Sequence, residues 1–420
     1  MDVLYLTAPK NTIRGKIKLP FSKSISNRIL IINSLSTTPI RIKNLSDASD
    51  TVVLKKALDN VSKEVNINIG DSGSAMRFLT AFLANTPGEF SLSGTSRMKQ
   101  RPIGDLADAL RHLGANIEYL EQEGYPPLKI FGKKLKGGTV EINAGISSQF
   151  ISALLMVGPA MEKGLKVRLI GDVVSLPYIN MTMDIMKRCN IDIDYHSNEI
   201  IVKKGEYHCD RFTIEPDWSA ASYYYSILAL SEAGKLFLPG LSENSIQGDS
   251  IIRSWFEQLG IESNFSRQGL YIKKTQKTLP KQIDINFKNN PDLAQTMAVC
   301  IAGKGINAKF AGLQSLKIKE TDRILALQNE LKKVGYLLNE TVDEQWILEK
   351  SGLNTKSDVI VFETYKDHRM ALSFSALSCI LEKVGIQNPE VVKKSHPEFW
   401  KNLQSIGFNA SLIQEDQQKF

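Results

Sequence analysis

The sequence predicts an α/β protein built from about six repeats of about 70 residues, each carrying two helices. Five helix-like segments end alike, with a glycine or asparagine at the expected C′ position and a short alternating, strand-like stretch after it. These positions recur at intervals of 70 to 76 residues: Gly114, Asn190, Gly260, Gly335 and Gly407. Such regular spacing indicates repeated α/β units and by itself says nothing about chemistry.

The other helix of each repeat is predicted from its start. Six times a small polar start opens into an apolar run, in SKSISNRILII, DSGSAMRFLTAFL, SSQFISALLM, DWSAASYYYSILAL, NPDLAQTMAVCIA and KDHRMALSFSAL. Strand-like segments lie between these starts, among them FTIEP, KVRLIG, TVEINA and IDINF. The alternative, that unrelated amphipathic helices merely look alike, stays open at this point.

Length and composition bound the class of protein. The 420 residues suffice for two or three domains of ordinary size. Hydrophobic residues make up 42% and charged residues 23%, which is typical of folded globular proteins and excludes wholesale disorder or a fibrous chain. We expect a domain break near residues 215–219, where a strand-like run ends at Pro216.

The charge and the cysteines indicate the kind of partner and compartment. A net charge of +7 suits an anionic partner, and nucleic acid and small anionic substrates both remain open. The four cysteines lie far apart without the spacing of a metal site or a redox motif, which favours reduced thiols in a cytoplasmic protein. The first residues lack the pattern of a signal peptide, and no stretch reaches the roughly 18 apolar residues of a membrane span.

Two lysine-rich runs are candidates for nucleic-acid contacts or for exposed turns. They are residues 133–136 and Lys273–Lys274, and neither contains interleaved aromatic residues. The composition favours exposed turns over a nucleic-acid interface for both.

Anion chemistry is indicated at several helix starts, where backbone N–H groups are unpaired and the helix dipole is positive. Lys23, Ser24 and Arg28 share one start. Residues 70–77 form the next, with Gly73 small enough to let an anion approach the backbone, and residues 147–149 supply neutral donors at a third. Any one of these could be only a helix cap, so the argument rests on their recurrence.

Charged clusters also occur in the second half of the chain. Lys319 and Arg323 are spaced i, i+4, which predicts one face of a helix, and on spacing alone a solvated, ion-paired helix explains that pattern better than a binding site does. Asp292 follows a proline at a plausible N1 position, and residues 367–369 read Asp-His-Arg at another helix start. The remaining histidines show no metal-ligand spacing, so we expect no metal. Phosphate-loop, dinucleotide-binding and nucleophile-elbow motifs are absent from the sequence.

Together these clusters resemble one family, the 5-enolpyruvylshikimate-3-phosphate (EPSP) synthases, or 3-phosphoshikimate 1-carboxyvinyltransferases. The resemblance runs through nearly the whole chain and rests on eight segments in the family's order: LPFSKSISNR, GDSGSAMRFLTA, SRMKQRPIGDLADALR, SSQFISALLM, GDVVSLPYINMT, NSIQGD, KIKETDR and DHRMA. It implies a two-domain inside-out α/β barrel built from six βαβαββ repeats, with the active site in the interdomain cleft.

The resemblance also implies a division of the chain. Residues 1–19 and 217–420 would form a discontinuous domain that carries both termini, the catalytic carboxylates and the phosphoenolpyruvate side. Residues 20–216 would form the shikimate 3-phosphate side. Hinges are expected near Leu19 and Asp217, since family members close around their substrates.

The implied reaction moves the enolpyruvyl group of phosphoenolpyruvate to the 5-hydroxyl of shikimate 3-phosphate and releases phosphate. Both substrates are anions, so converging cations are needed to desolvate them. The implied shikimate 3-phosphate contacts are Lys23, Ser24, Arg28, Ser147, Ser148, Gln149, Ser175, Tyr178, Asp292 and Lys319. The implied phosphoenolpyruvate contacts are Lys23, Gly73, Arg77, Arg101, Gln149, Arg323, Arg369 and Lys394. No cofactor, nucleic acid or membrane partner is expected, and we expect a monomer.

The chemistry requires a base for the attacking hydroxyl and an acid for the methylene carbon of phosphoenolpyruvate. By resemblance Asp292 lies near the 5-hydroxyl and Glu320 near the methylene, and the reaction passes through a tetrahedral ketal phosphate that eliminates phosphate. Lys319 and Lys23 would lie between the substrates, and His368 would support them.

The chain departs from the family's pattern at several positions. Phe21 replaces the usual glycine of LPGSK, Phe78 replaces a common proline, and Asp71 replaces a usual asparagine. Ser315 and Leu316 stand where many members have Asn and Trp or Arg. We expect the negative charge of Asp71 to weaken binding of phosphoenolpyruvate and of the inhibitor glyphosate, while the reaction itself survives.

Two other functions stay open. The sister enzyme that transfers enolpyruvyl to UDP-N-acetylglucosamine shares the architecture, and many of its members carry a cysteine in the loop corresponding to residues 97–101, where this chain has none. A basic α/β-repeat protein that binds RNA would also explain the charge. It would show a steep salt dependence and no need for Asp292 or Glu320.

Overall fold

A computed structural model describes residues 2–351 and 359–414. The helices in this part of the chain are α1 (Lys23–Leu35), α2 (Ser49–Asn60), α3 (Gly73–Ala84), α4 (Gly104–His112), α5 (Ser148–Val157), α6 (Leu176–Arg188), α7 (Trp218–Leu230), α8 (Ile252–Gln258), α9 (Ala294–Gly303), α10 (Arg323–Lys332), α11 (His368–Phe374) and α12 (Phe399–Ser405). The strands are β1 (Val3–Thr7), β2 (Ile13–Lys16), β3 (Arg41–Lys43), β4 (Asn66–Asn68), β5 (Gly88–Ser93), β6 (Asn116–Tyr119), β7 (Leu128–Gly132), β8 (Gly138–Asn143), β9 (Leu165–Ile170), β10 (Ile193–His196), β11 (Glu199–Val202), β12 (Arg211–Thr213), β13 (Gly234–Pro239), β14 (Ile261–Ser266), β15 (Gly269–Lys274), β16 (Gln282–Asn286), β17 (Asn307–Ala311), β18 (Tyr336–Glu340), β19 (Trp346–Lys350), β20 (Val359–Phe362), β21 (Lys383–Gln387) and β22 (Asn409–Ile413).

The chain divides into two compact units. The central unit is Phe21–Ile214, and the terminal unit combines the residues up to Pro20 with those from Glu215 onward. The sequence analysis places the two crossings after residues 19 and 216. Each unit has its own sheets and helices and is described by itself.

Five four-stranded sheets share one arrangement. In the central unit the orders are β4-β5-β7-β6 and β8-β9-β11-β10, and in the terminal unit they are β2-β13-β15-β14, β16-β17-β19-β18 and β20-β21-β1-β22. In each sheet the first two strands pair in parallel and the other contacts are antiparallel. Parallel pairing requires a crossover connection, and in three of the sheets a contiguous β-α-β-α-β-β chain order supplies it. In the other two sheets one strand, β2 or β1, comes from the N-terminal segment of the chain.

The sixth repeat differs from the others. Its described strands are β3 and β12, which pair in parallel and form a two-stranded sheet. Its helices α1 and α2 are complete, so the expectation of two helices per repeat is confirmed for all six. The second strand arrives only at residues 211–213, after two whole repeats have intervened, which explains why the sequence shows no contiguous unit here.

The predicted helix ends are confirmed by backbone geometry. All five marked residues have positive φ angles, at 103° for Gly114, 64° for Asn190, 82° for Gly260, 78° for Gly335 and 98° for Gly407. A residue with a Cβ rarely takes this conformation, which is why glycine and asparagine recur where each helix stops and a strand begins.

The predicted helix starts are also confirmed, because each apolar run forms a mostly buried helix. In α7 every residue from Ala220 to Leu230 is buried, which explains why the sequence there is apolar all round rather than striped. Asp217 caps this helix by accepting from the Ala220 N–H at 2.9 Å. No helix within the described residues is long and apolar enough to cross a membrane.

One of the two lysine-rich predictions is wrong. Residues 133–136 lie outside strands and helices, as expected. Lys273 and Lys274, however, belong to strand β15, where they pair with β13 and β14 instead of forming a turn. Lys273 is exposed, but Lys274 is partly buried and donates to the carbonyls of Ala229 and Ser231. The strand is set by Leu270 and Ile272, which alternate into the core.

Candidate active site

Arg323 is the hub of a charged cluster in the terminal unit. It is the first residue of α10, and Asp322 caps the helix by accepting from the N–H groups of Ile324 and Leu325. The guanidinium donates to three carboxylates: to Asp367 from Nε at 2.7 Å, to Glu320 at 2.8 Å and to Asp292 at 3.2 Å. Burial lowers the pKa of Arg323, but the three carboxylates outweigh it and raise the pKa above its ordinary value, so the group stays a cation.

The prediction of a solvated helix through residues 319–323 is wrong. Lys319 ends a 3-10 turn, Gln314–Ile318, in an extended conformation, and α10 begins only at Arg323. Arg323 is 1% exposed. The i, i+3 pair between Glu320 and Arg323 does form, but it points into the unit because Asp322 takes the capping position and turns the preceding residues out of the helix.

Asp292 lies between two arginines. It belongs to a 3-10 turn, Pro291–Leu293, that precedes α9, with the predicted proline at the first position. Arg369 donates to its carboxylate at 2.7 Å and to its backbone carbonyl at 2.9 Å, opposite the contact from Arg323. Burial alone would raise the pKa of Asp292, but Arg369, Lys319 and Arg323 hold it well below its usual range. Asp292 is therefore ionised.

Glu320 is held by two cations. Arg323 contacts one carboxylate oxygen at 2.8 Å, and the Lys394 ammonium lies 3.3 Å from the other. Lys394 comes from a 3-10 helix, Pro389–Lys394, more than 70 positions away in sequence. Both carboxylate oxygens of Glu320 are therefore engaged in ion pairs.

The residues 367–369 form the predicted helix start. Asp367 caps α11 by accepting from the Arg369 N–H at 2.8 Å, and its other oxygen accepts from Arg323. His368 is buried, with its Nδ1 atom 3.5 Å from the Asp367 carboxylate. Arg369 also donates to the Tyr223 hydroxyl at 3.3 Å. Asp367 thus joins the Arg323 guanidinium to the start of the helix that carries Arg369, a role that no local sequence pattern indicates.

Asp249 is a second residue that the sequence analysis missed. It is 3% exposed and accepts hydrogen bonds from the Ser219 hydroxyl and from the Asn290 amide, the latter at 3.1 Å. Burial and the neighbouring Asp292 raise its pKa to about 6. The segment NSIQGD contains Asp249, but a carboxylate in a turn signals nothing until burial is known.

The central unit has its own buried arginine. Arg28 on α1 donates from Nε to the Thr182 hydroxyl at 2.7 Å, and from its two terminal nitrogens to Ser152 and to the carbonyls of Ser24 and Tyr178. Burial lowers its pKa to about 10, which still leaves it a cation at neutral pH. Arg28 therefore joins α1, α5 and α6 and fixes the backbone at two predicted substrate contacts.

Lys23 begins α1 and pairs with a residue that no spacing indicates. Its ammonium lies 3.1 Å from the carboxylate of Asp50 on α2. Ser22 caps α1, so Lys23 and Ser24 occupy its first turn.

Gly73 and Arg101 are packed together in a way that explains the glycine. A Cβ built on Gly73 would lie 2.6 to 2.8 Å from three guanidinium atoms of Arg101. The absence of a side chain thus lets the Arg101 guanidinium rest on the N-terminus of α3. Arg77, one turn further on, is buried and donates to the carbonyls of Gly73 and Pro102, so it ties the loop bearing Arg101 to α3.

The two remaining helix starts differ in how they use serine. Ser147 caps α5 by accepting from the Gln149 N–H at 3.3 Å, and Ser148 is the first residue of the helix. Ser175 precedes α6 in the left-handed region at φ 56°, and its side chain makes no capping bond. A strained backbone at a non-glycine residue is typical of functional positions, and here Tyr178 lies in the turn that follows.

Three of the unusual residues, Phe21, Asp71 and Phe78, lie in the central unit. Phe78 is buried, and its ring lies under the Arg28 guanidinium at 5.4 Å from the ring centroid. Asp71 is exposed and accepts from the Thr95 hydroxyl. Phe21 is partly buried just before α1.

Comparisons with known proteins agree on one family. The family model described as EPSP synthase (3-phosphoshikimate 1-carboxyvinyltransferase) matches residues 7–66 and 54–403. A 3-phosphoshikimate 1-carboxyvinyltransferase of Bacteroides fragilis (strain YCH46) is 45% identical over 413 residues, covering 98% of this chain and 100% of that protein. One of Colwellia psychrerythraea is 34% identical over 425 residues, covering 95% and 98%. The solved structure of EPSP synthase from Acinetobacter baumannii has the same fold, with a TM-score of 0.78, 20% identity and coverage of 99% and 100%.

Proposed function

This chain belongs to the EPSP synthase family, and from that premise we propose that its terminal unit supplies the proton-transfer groups of the reaction and its central unit holds shikimate 3-phosphate. The chain is a transferase of the shikimate pathway. It moves the enolpyruvyl group of phosphoenolpyruvate to shikimate 3-phosphate and releases phosphate, a step of aromatic amino acid biosynthesis. Its two-domain α/β fold is that of the family.

The observation that carries the catalytic proposal is the ion-pair cluster around Arg323. Asp292 and Glu320 accept from the two terminal nitrogens of one guanidinium, at 3.2 and 2.8 Å. The reaction needs two carboxyl groups with different tasks, one to accept the hydroxyl proton and one to protonate the methylene carbon. We assign the base to Asp292 and the acid to Glu320.

The same cluster explains how substrate could adjust these groups. Arg323, Arg369 and Lys394 are the proposed phosphoenolpyruvate contacts, and they neutralise Asp292 and Glu320 here. A carboxylate that is paired with two cations is a weak base, because the cations stabilise its ionised form. When the phosphate and carboxylate of phosphoenolpyruvate take over these cations, the basicity of both side chains rises. Binding of the substrate thereby prepares its own acid and base.

Lys319 and His368 have supporting parts in this proposal. The Lys319 ammonium interacts electrostatically with Asp292, and Lys319 precedes Glu320 in the sequence. In this position its positive charge can neutralise the departing phosphate. The Nδ1 atom of His368 lies 3.5 Å from the Asp367 carboxylate. Asp367 in turn accepts from Arg323 and caps the helix that carries Arg369. His368 therefore acts through Asp367 as a positioning residue.

The central unit supports shikimate 3-phosphate binding through three helix starts. The proposed contacts there are Lys23, Ser24, Ser147, Ser148, Gln149, Ser175 and Tyr178. Four of the five N–H donors of Arg28 are used within the protein, so Arg28 acts chiefly by fixing Ser24 and Tyr178. Arg101 on Gly73 and Gln149 are proposed to complete the phosphoenolpyruvate site, with Arg77 holding the Arg101 loop. We also propose a cytoplasmic monomer that needs no cofactor.

The test measures phosphate release with phosphoenolpyruvate and each of two acceptors. Release with shikimate 3-phosphate, and none with UDP-N-acetylglucosamine, is the expected result. The reverse would mean the sister activity. Binding of RNA with a steep salt dependence and no release with either acceptor would favour the RNA-binding alternative.

Two variants separate the carboxylate roles. Asp292→Asn should lower kcat about 100-fold or more, and Glu320→Gln should abolish deuterium exchange into the methylene group of phosphoenolpyruvate. Glu398→Gln, an exposed carboxylate in the same unit, serves as the control. Normal turnover by Asp292→Asn, or undiminished exchange by Glu320→Gln, would overturn the corresponding assignment.

A further inference from the structure

One exposed sheet face in the terminal unit carries cations and aromatic rings together. Strands β2, β13 and β15 are neighbours, and their alternate residues Leu236 and Ile272 point into the core. The opposite face presents four cations and two aromatic side chains: Arg14, Lys16, Lys235, Lys273, Phe237 and Tyr271.

Three of the cations lie in a single row across the strands. Lys235 is paired in register with Arg14 on one side and with Lys273 on the other. Strands are spaced about 4.8 Å apart, so three positive charges fall within about 10 Å. Within residues 2–351 and 359–414, none of the three has a carboxylate partner within ion-pair distance. Like charges directly opposite one another destabilise a sheet, and a multiply charged anion bound along the row would relieve that repulsion.

A pair of stacked aromatic rings adjoins the row. Phe237 and Tyr271, the next register pair on the same face, are stacked with ring centroids 4.5 Å apart and an interplanar angle of 28°. The Lys235 ammonium lies 4.6 Å from the centroid of Tyr271. That ammonium marks the accessible side of the tyrosine ring, and its flexible stem allows it to move toward an anion and expose the ring.

The two features line one cavity of about 500 Å³, together with Thr12, Gly15 and Ala233. This volume lies in the range of small-molecule sites. None of its lining residues belongs to the proposed active site.

We propose that this cavity binds a nucleoside diphosphate. The diphosphate lies along the row of Arg14, Lys235 and Lys273, and the base covers Tyr271 in the place of the Lys235 ammonium. An inorganic anion would contact the row of cations but would make no contact with the aromatic rings. A single strand of RNA needs a cationic track that continues, but this row meets Glu262, which is paired in register with Lys273 on the outer strand.

The test is calorimetric titration of the protein with ADP, with shikimate 3-phosphate present at saturation so that its part of the proposed active site is occupied. The variant Lys235→Gln/Lys273→Gln should weaken ADP binding at least tenfold and reduce its dependence on salt. Tyr271→Leu should weaken ADP about tenfold and leave the weaker binding of pyrophosphate unchanged. Lys133→Gln/Lys134→Gln removes two charges from a loop of the central unit and should have no effect.

Enzymatic activity of each variant shows that it is folded, since these residues lie outside the catalytic cluster. Any of four results would overturn the proposal: no ADP binding by the wild type, equal affinity for ADP and pyrophosphate, ADP affinity untouched by Tyr271→Leu, or loss of binding in the loop control. A heptanucleotide RNA that binds tenfold more tightly than ADP through the same lysines would replace it with an RNA-binding face.

Discussion

Replacing Arg323 by lysine tests whether the fork of the guanidinium, rather than its charge, holds the catalytic cluster together. Arg323 makes three charge-assisted hydrogen bonds from three different nitrogens. A lysine ammonium keeps the positive charge but cannot reach three separated carboxylates from one stem. Two of the three bonds are therefore lost in Arg323→Lys, in a setting where the side chain is almost completely buried.

The magnitude follows from what each carboxylate retains. A hydrogen bond to a charged group contributes about 1.5 to 3 kcal/mol, so two lost bonds cost about 3 to 6 kcal/mol. Asp292 keeps Arg369 and Glu320 keeps Lys394, which offsets part of this loss. We expect Arg323→Lys to lower the free energy of unfolding of the terminal unit by about 3 kcal/mol and to raise KM for phosphoenolpyruvate at least tenfold.

Tryptophan fluorescence is a suitable assay, because all four tryptophans belong to the terminal unit: Trp218, Trp255, Trp346 and Trp400. Urea unfolding followed at this signal reports that unit, and Arg267→Lys, at an exposed turn between β14 and β15, is the matched control. We expect the control to change stability by less than about 0.5 kcal/mol. A loss below about 1 kcal/mol for Arg323→Lys, with KM unchanged, would refute the reasoning.

Two further predictions concern the packing at Gly73 and the titration of Asp249. Gly73→Ala should move the Arg101 guanidinium by about 1 Å and raise KM for phosphoenolpyruvate at least tenfold. Thermal stability should fall little, because the flexible Arg101 side chain can shift. Gly205→Ala, where the added methyl meets only ordinary contacts, is the control, and an unchanged KM in Gly73→Ala would contradict the prediction. The pKa of Asp249 is about 6 in the folded protein and 3.8 for an ordinary aspartate. Between these pH values the folded state binds a proton that the unfolded state has lost, so the free energy of unfolding falls as pH rises, by up to about 3 kcal/mol. Asp249→Asn should remove that fall in urea unfolding measured from pH 4 to 6.5, and a pH profile identical to that of the wild type would show that Asp249 is not its source.

The sequence determined the repeats and the helix starts because both depend on local physics. A C′ residue with positive φ favours glycine or asparagine, so Gly114 and Gly407 mark helix ends without any knowledge of the rest of the chain. Caps and apolar runs act over four or five residues in the same way. The motifs around Lys23 and Lys319 identified the family for the same reason, since each is short and contiguous.

Tertiary structure alone decided which distant charges meet. Asp367 contacts Arg323 across 44 positions and Asp50 contacts Lys23 across 27, and no local pattern encodes either pairing. The helical spacing predicts that Arg323 is exposed to solvent, but tertiary packing buries it. Burial also raises the pKa of Asp249 above that of an ordinary carboxyl. The row of Arg14, Lys235 and Lys273 exists only because sheet register aligns three strands that are separate in sequence. Side-chain chemistry is local, whereas the dielectric and the partners that tune it are set by long-range packing.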